Sequence, residues 1–193
     1  PGGMCTTPPQ QIKYLPSKEN PAPSNDWTNA GGTKNDFTNA QACAAQFMLT
    51  YLTFDINDTK SLEKSVPMLS VGGKKRFYNH DSDLPIDYMD PAWRASAQKQ
   101  HLSQTAMVMK PTEVYVQTQN QKFLAWMHIH CKVTVKIDGQ SQSHEADYTV
   151  LLVKVPLTQD DNNNNDQKTI KGIGWQVSKW RSGSSNYPPP DPL

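Results

Sequence analysis

The sequence predicts an α+β domain in which two or three helices precede, and pack on, a four-stranded antiparallel sheet. Three observations carry this. Apolar residues recur at helical spacing in the first half of the chain; the period changes to alternation after Pro111; and Asp138-Gly139 sits between two long alternating runs as a hairpin signal.

The leading helix is read over Asn35 to Asp55, where Phe37, Ala40, Ala44, Phe47, Met48, Tyr51 and Leu52 share a face, and Asn35 and Asp36 are cap candidates. A shorter helix follows Asp58, with Leu62, Val66 and Leu69 on one side and Pro67 limiting it. Val71-Gly72-Gly73 ends that unit and Lys74 to Tyr78 reads as a short turn. Asp90-Pro91 opens another helix, cap then first residue, running through Trp93 and Ala97.

Four strands are expected: Thr112–Thr118, Phe123–Ile137, Ser141–Val155 and Lys168–Arg181. A two-residue turn at Asp138-Gly139 pairs Ile137 with Gln140, and so sets Lys132 opposite Glu145 and His130 opposite Asp147 on one face. Met127, Ile129, Cys131, Val133, Val135 and Ile137 form the other face, with Ala146 and Tyr148. A slip of one residue would mix the faces, so the register is well specified. Pro156 to Gln167, with four consecutive asparagines, reads as a polar loop.

Prolines crowd both ends, so residues 1–34 read as an extended arm or linker that docks at most locally through Trp27, and 182–193 as a tail. The domain itself spans 35–181. With 19 Lys+Arg against 18 Asp+Glu, net charge gives no reason to expect a phosphate backbone as partner. No apolar run reaches the roughly 20 residues that span a bilayer, and no signal peptide opens the chain. The three cysteines, Cys5, Cys43 and Cys131, are too few and scattered for a disulfide framework or zinc cluster. Cys43 and Cys131 read as buried thiols, and Cys5 as able at most to pair between molecules.

Chemistry-bearing groups are few. His128 and His130, two apart on a strand, put both imidazoles on one face, where Asp147 adds a carboxylate; this is the best metal candidate, and a hydrogen-bonded polar sheet face is the preferred reading. Asn79 to Asp83 groups His80 with two carboxylates but reads as a loop, and His101 as a helix end. Nucleophile elbows and phosphate-binding glycine motifs are absent, and Val71 to Arg76 reads as a solvated helix start. No cofactor is expected. Lys168, Lys171, Lys179 and Arg181, with Trp175 and Trp180, make at most a weak nucleic-acid surface.

The order of elements resembles the NTF2-like fold, and within it the VirB8-like, TcpC-type components of conjugative type IV secretion systems. The resemblance covers residues 35–181. It rests on the Pro/Ser/Asn-rich linker before helix Phe37–Phe54, the short helix Leu62–Leu69, the long hairpin Phe123–Val155 and the closing strand Gly172-Ile173-Gly174-Trp175-Gln176-Val177. It implies a strongly curved sheet and a non-enzymatic scaffold of a DNA-transfer channel. The implied domain lies on the extracytoplasmic face of the cell membrane and is held by an anchor absent from this chain. Its implied partners are other channel proteins and copies of itself. The alternative is a cytoplasmic NTF2-like enzyme or small-ligand binder, its site in the cone between sheet and helices, with Tyr51, Asp55, His144 and Tyr148 as candidates.

Overall fold

A computed structural model describes residues 2–81, 83–161 and 168–184, with the backbone alone for 158–161 and 168–171. The asparagine run expected as a loop tip, and the tail beyond Ser184, lie outside the described residues.

A short helix α1, Asn25–Asn29, is capped by Ser24 and buries Trp27. Helix α2 follows at Lys34–Leu52. Its cap is Thr33, two residues before the first expected candidate, Asn35: the Thr33 side chain accepts from the Asp36 amide while Asp36 accepts from the Thr33 amide, a reciprocal pair that satisfies two otherwise orphaned donors. Ala40, Ala42, Ala44 and Ala45 are buried around much of the helix, because the arm covers one side and the sheet the other.

The helix expected after Asp58 is two 3-10 turns, Thr59–Glu63 and Val66–Met68. Pro67 has no amide to donate and clashes with a preceding α-helical turn, so the segment can only begin a new one there. In contrast, Val71–Tyr78 is a helix, α3, rather than the end of a unit and a turn. Ser70 caps it by accepting from the Gly73 amide, so the glycines lie inside its first turn. Gly73 is there for room: a Cβ on it would lie 2.7 Å from the Val177 carbonyl oxygen. Helix α4, Pro91–Lys99, starts as expected with Asp90 capping the Ala92 amide.

The strands are β1 Phe54–Asp55, β2 Ser103–Val108, β3 Thr112–Gln119, β4 Lys122–Ile137, β5 Gln140–Lys154, β6 Thr158–Asp161, β7 Lys168–Lys171 and β8 Trp175–Ser182. Thus β1, β2 and β6 add to the four expected strands, β6 within the segment expected as a polar loop. The main sheet runs β1-β2-β4-β5-β8, with β3 also on β4. Strands β2 and β3 share one edge of β4, pairing Cys131–Lys136 and Lys122–His128 respectively, so the sheet curls about this long strand. Hairpin β4–β5 has the expected register throughout, from Ile137 opposite Gln140 to Lys132 opposite Glu145 and His130 opposite Asp147. The last expected strand is two: β7 pairs with β6, and β8 returns to β5. Gly172 and Gly174, at φ of +81° and +83°, break it between them, a backbone conformation other residues rarely adopt.

The arm lies on the domain rather than apart from it. Gly3 and Met4 donate to the carbonyls of Leu69 and Pro67, Cys5 bonds both Trp175 and Ile173, and Leu15 donates to Val108. Trp27 packs edge-on to Phe37 and Phe123, and its indole N–H donates to the Thr33 carbonyl. Cys5 and Cys43 form an intrachain disulfide, against the expectation of a buried thiol and a cysteine able only to pair between molecules. Main-chain bonds to Trp175 and Ile173 bring Cys5 to within 5.3 Å, Cα to Cα, of a helix position far from it in sequence. Cys131 is a buried free thiol, as its place on the apolar face of the strand predicts, with burial pushing its pKa up to about 12.

Candidate interaction site on the outer sheet face

Side chains at even positions of β4 and odd positions of β5 face away from the helices, on the outer side of the sheet. From one end, the face reads Leu124 and Val153, Trp126 and Leu151, His128 and Thr149, His130 and Asp147, then Lys132 and Glu145. The first four make a small apolar cluster with Val114 and Val155. The rest are polar.

The register brings the three sequence candidates together. His128 Nε2 lies 2.8 Å and His130 Nδ1 2.9 Å from the same oxygen of Asp147. His130 Nε2 also lies 3.2 Å from Glu145, the carboxylate that the sequence paired with Lys132. An imidazole with an ionised carboxylate at each nitrogen holds both protons. Accordingly the His130 pKa is raised, chiefly by the hydrogen bond to Asp147 and then by that to Glu145. The Asp147 pKa is lowered, first by its bond to His130 and then by that to His128. The carboxylate fills the space where the imidazole nitrogens converge. This is hydrogen-bonded polar-face geometry, and among the described residues no group of three or more such ligands is placed to hold a metal ion.

The cone candidates do not converge. Tyr51 is buried, stacked on Phe47 at 5.4 Å and edge-on to Tyr88 at 5.1 Å. Its hydroxyl donates to the Ile86 carbonyl and accepts from the Ile86 amide at 3.0 Å. Burial raises its pKa. Tyr88 donates to the Tyr51 carbonyl in turn, so the Ile86–Tyr88 segment plugs the cone with its own polar groups. Tyr148 is core, whereas Asp55 and His144 are exposed at the surface. Of the proposed nucleic-acid strand, Trp175 and Trp180 are 1% and 2% exposed, spent on Trp27 and Phe47, and cannot stack bases. His80 pairs with Asp87 at 2.9 Å in an exposed loop.

Sequence reasoning missed the Arg181–Trp126 contact, in which the guanidinium carbon stands 5.3 Å from the indole centroid. A signal existed: pairing β8 with β5 puts Arg181 opposite Thr149, one strand from Trp126. That register, however, contains a bulge at Leu151/Leu152 that no local pattern announces.

No family model matches the chain, and no curated protein matches it. Solved structures do. The periplasmic domain of DotI (crystal form I) is 16% identical with a TM-score of 0.55, covering 76% of this chain and 94% of that one. A periplasmic fragment of TraM is 13% identical with a TM-score of 0.52, covering 76% of this chain and 96% of the other. The fold is therefore the VirB8-like, NTF2-like one that these two periplasmic domains share, with helices packed against a curled antiparallel sheet.

Proposed function

We propose that this chain is a scaffold domain of a type IV secretion channel of the conjugative kind. It acts outside the cytoplasm through contacts with other channel proteins and with copies of itself, and without catalysis. The observation that carries the reading is the fold match over nearly the whole length of two periplasmic secretion domains. The Cys5–Cys43 disulfide supports the compartment, because such bonds persist in oxidising surroundings and are rare in a reducing cytosol.

A scaffold reading also agrees with where the polar groups are. Tyr51 is engaged by the backbone of Ile86, and the histidines by Asp147 and Glu145. No helix among the described residues is long and apolar enough to cross a membrane. The test is co-purification. With the native gene product carrying an affinity tag, cross-linking in intact cells is expected to recover other channel components, and deleting the gene to abolish transfer. Recovery of a soluble cytoplasmic enzyme complex, with transfer unaffected by the deletion, would overturn the reading.

A further inference from the structure

Strand β3 pairs with β4 along one edge, and among the described residues its other edge bonds no main chain. None of its eight residues is buried, and Tyr115 and Thr118 are exposed. An open edge is a template for another strand, and folded proteins ordinarily blunt one with lysine, proline or a bulge. Residues 114–119 read Val-Tyr-Val-Gln-Thr-Gln, with neither charge nor proline. The one bulge lies between Glu113 and Tyr115, which leaves residues 115–119 regular. By contrast, the stretch of β5 that β8 does not cover, residues 140–146, is polar and carries the charge of Glu145.

The hairpin fixes which groups this edge offers. Gln119 faces Lys122 across the two-residue turn Asn120-Gln121, both at positive φ, so this closing pair exchanges both of its main-chain bonds. Bonded and non-bonded pairs then alternate along an antiparallel ladder. Gln117 and Tyr115 therefore bond Leu124 and Trp126, whereas Val116 and Thr118, opposite Ala125 and Phe123, turn their N–H and C=O groups outward. A second copy of the strand, antiparallel about a two-fold axis at Gln117, sets Val116 opposite Thr118 of that copy. Val116 N–H then meets Thr118 C=O and Thr118 N–H meets Val116 C=O, each twice by symmetry, so every outward group of these residues is matched. The same register places Tyr115 against Gln119 on the outer face and two β-branched side chains together on the inner one. Glu113, the one charge of the strand, falls beyond the paired residues, so no like charges meet.

We infer that two copies of this chain join edge to edge through β3, residues 115–119 of each pairing antiparallel about Gln117 to make one continuous sheet. The occupant is a second copy because the edge complements itself, in hydrogen bonds, in side-chain pairs and in its freedom from opposed charge. So short a contact is reversible and depends on concentration. The pairing rests on the strand alone; its role in a channel rests on the scaffold reading above, which it deepens by naming the surface.

The test is cysteine trapping and sedimentation of the full chain. Gln117→Cys meets its own copy at the axis, a non-bonded pair with Cα atoms about 4.5 Å apart, within disulfide range. Mild oxidation is expected to join this variant into a covalent dimer. Tyr115→Cys, whose copies lie at opposite ends of the contact, should stay unjoined alone and cross-link when mixed with Gln119→Cys. In sedimentation the native chain is expected to dimerise as concentration rises. Val116→Pro removes an N–H that β4 does not use, so the fold tolerates it, and the dimer should weaken roughly ten-fold or more. Thr118→Lys, which puts a charge on the edge, should act in the same direction. No covalent dimer from Gln117→Cys, equal cross-linking by Tyr115→Cys alone, or a monomer at every concentration would overturn the proposal. Capture of a different protein by Gln117→Cys in intact cells, with no self-dimer, would assign the edge to that partner and overturn the second copy. Failure here leaves the scaffold reading standing on co-purification, and failure there leaves the strand pair standing on the cross-link.

Discussion

Cys5 and Cys43 are covalently joined across 38 positions of sequence, tying the proline-rich arm to the middle of the longest helix. The bond closes a loop containing α1 and Trp27, so the arm becomes one wall of the core. Closing a loop of this length restricts the unfolded chain and contributes roughly 2–4 kcal/mol.

Reduction, or Cys5→Ser with Cys43→Ser, is therefore expected to lower unfolding free energy by about that amount. Denaturant titration with and without reductant checks it. The double variant should be insensitive to reductant, and an unchanged midpoint for the reduced native chain would contradict the role given to the bond.

Trp27→Ala removes a fully buried ring that meets Phe37, Phe123 and Trp175. A large-to-small change of this kind costs about 3–5 kcal/mol. Equilibrium unfolding should show it, and a loss under 1 kcal/mol, well below that range, would mean the arm contributes little to the fold.

Gly73→Ala tests a close approach. Alanine ordinarily stabilises a helix interior by up to about 1 kcal/mol. Here the added carbon would meet the backbone oxygen of Val177 at 2.7 Å, and β8 cannot yield cheaply. The expected outcome is destabilisation of about 1–3 kcal/mol. A stabilised variant in thermal unfolding would show that α3 and β8 are not so tightly held.

The His130–Asp147–Glu145 contacts carry a pH signature. Because the folded His130 pKa is raised, its contribution is complete below the unfolded value near 6.5 and is lost as pH rises through the folded one. Because the Asp147 pKa is lowered, its contribution holds above 3.8 and is lost as pH falls through the folded value. Both describe one interaction, strongest between about pH 4 and 6.5. Asp147 is 44% exposed, so solvent screening limits the contribution to about 1 kcal/mol or less. The stability gap between wild type and His130→Gln should peak in that window and close as pH rises through the folded His130 value. Replacing His128 and His130 together is expected to leave assembly and transfer intact, whereas loss of transfer with assembly unchanged would point to chemistry at these residues.

Much of this was legible in the sequence where the signal was local. Asp138-Gly139 and strict alternation placed His130 opposite Asp147, because a two-residue turn leaves one register compatible with a buried face. Asp90-Pro91 marked α4 for the same kind of reason. Strand β2, Ser-Gln-Thr-Ala-Met-Val, was not legible: its apolar residues are few, and it is a strand because the edge of β4 needs a partner there. The Cys5–Cys43 bond was equally hidden, since spacing does not reveal that Gly3 to Cys5 run back along Pro67, Leu69 and Trp175. Among the site residues, the histidine cluster could be read from the hairpin, but the cone candidates could not be rejected until Ile86 was seen bonding Tyr51.

The central claim, a disulfide-bonded secretion scaffold outside the cytoplasm, is tested most directly in the native host. Thiols are trapped by alkylation before lysis, the cells are fractionated, and protease is added from outside with the cytoplasmic membrane intact. The account predicts a membrane-associated protein, digested from outside, with Cys5 and Cys43 oxidised and Cys131 reduced. A soluble protein protected until lysis, with all three cysteines reduced, would contradict it.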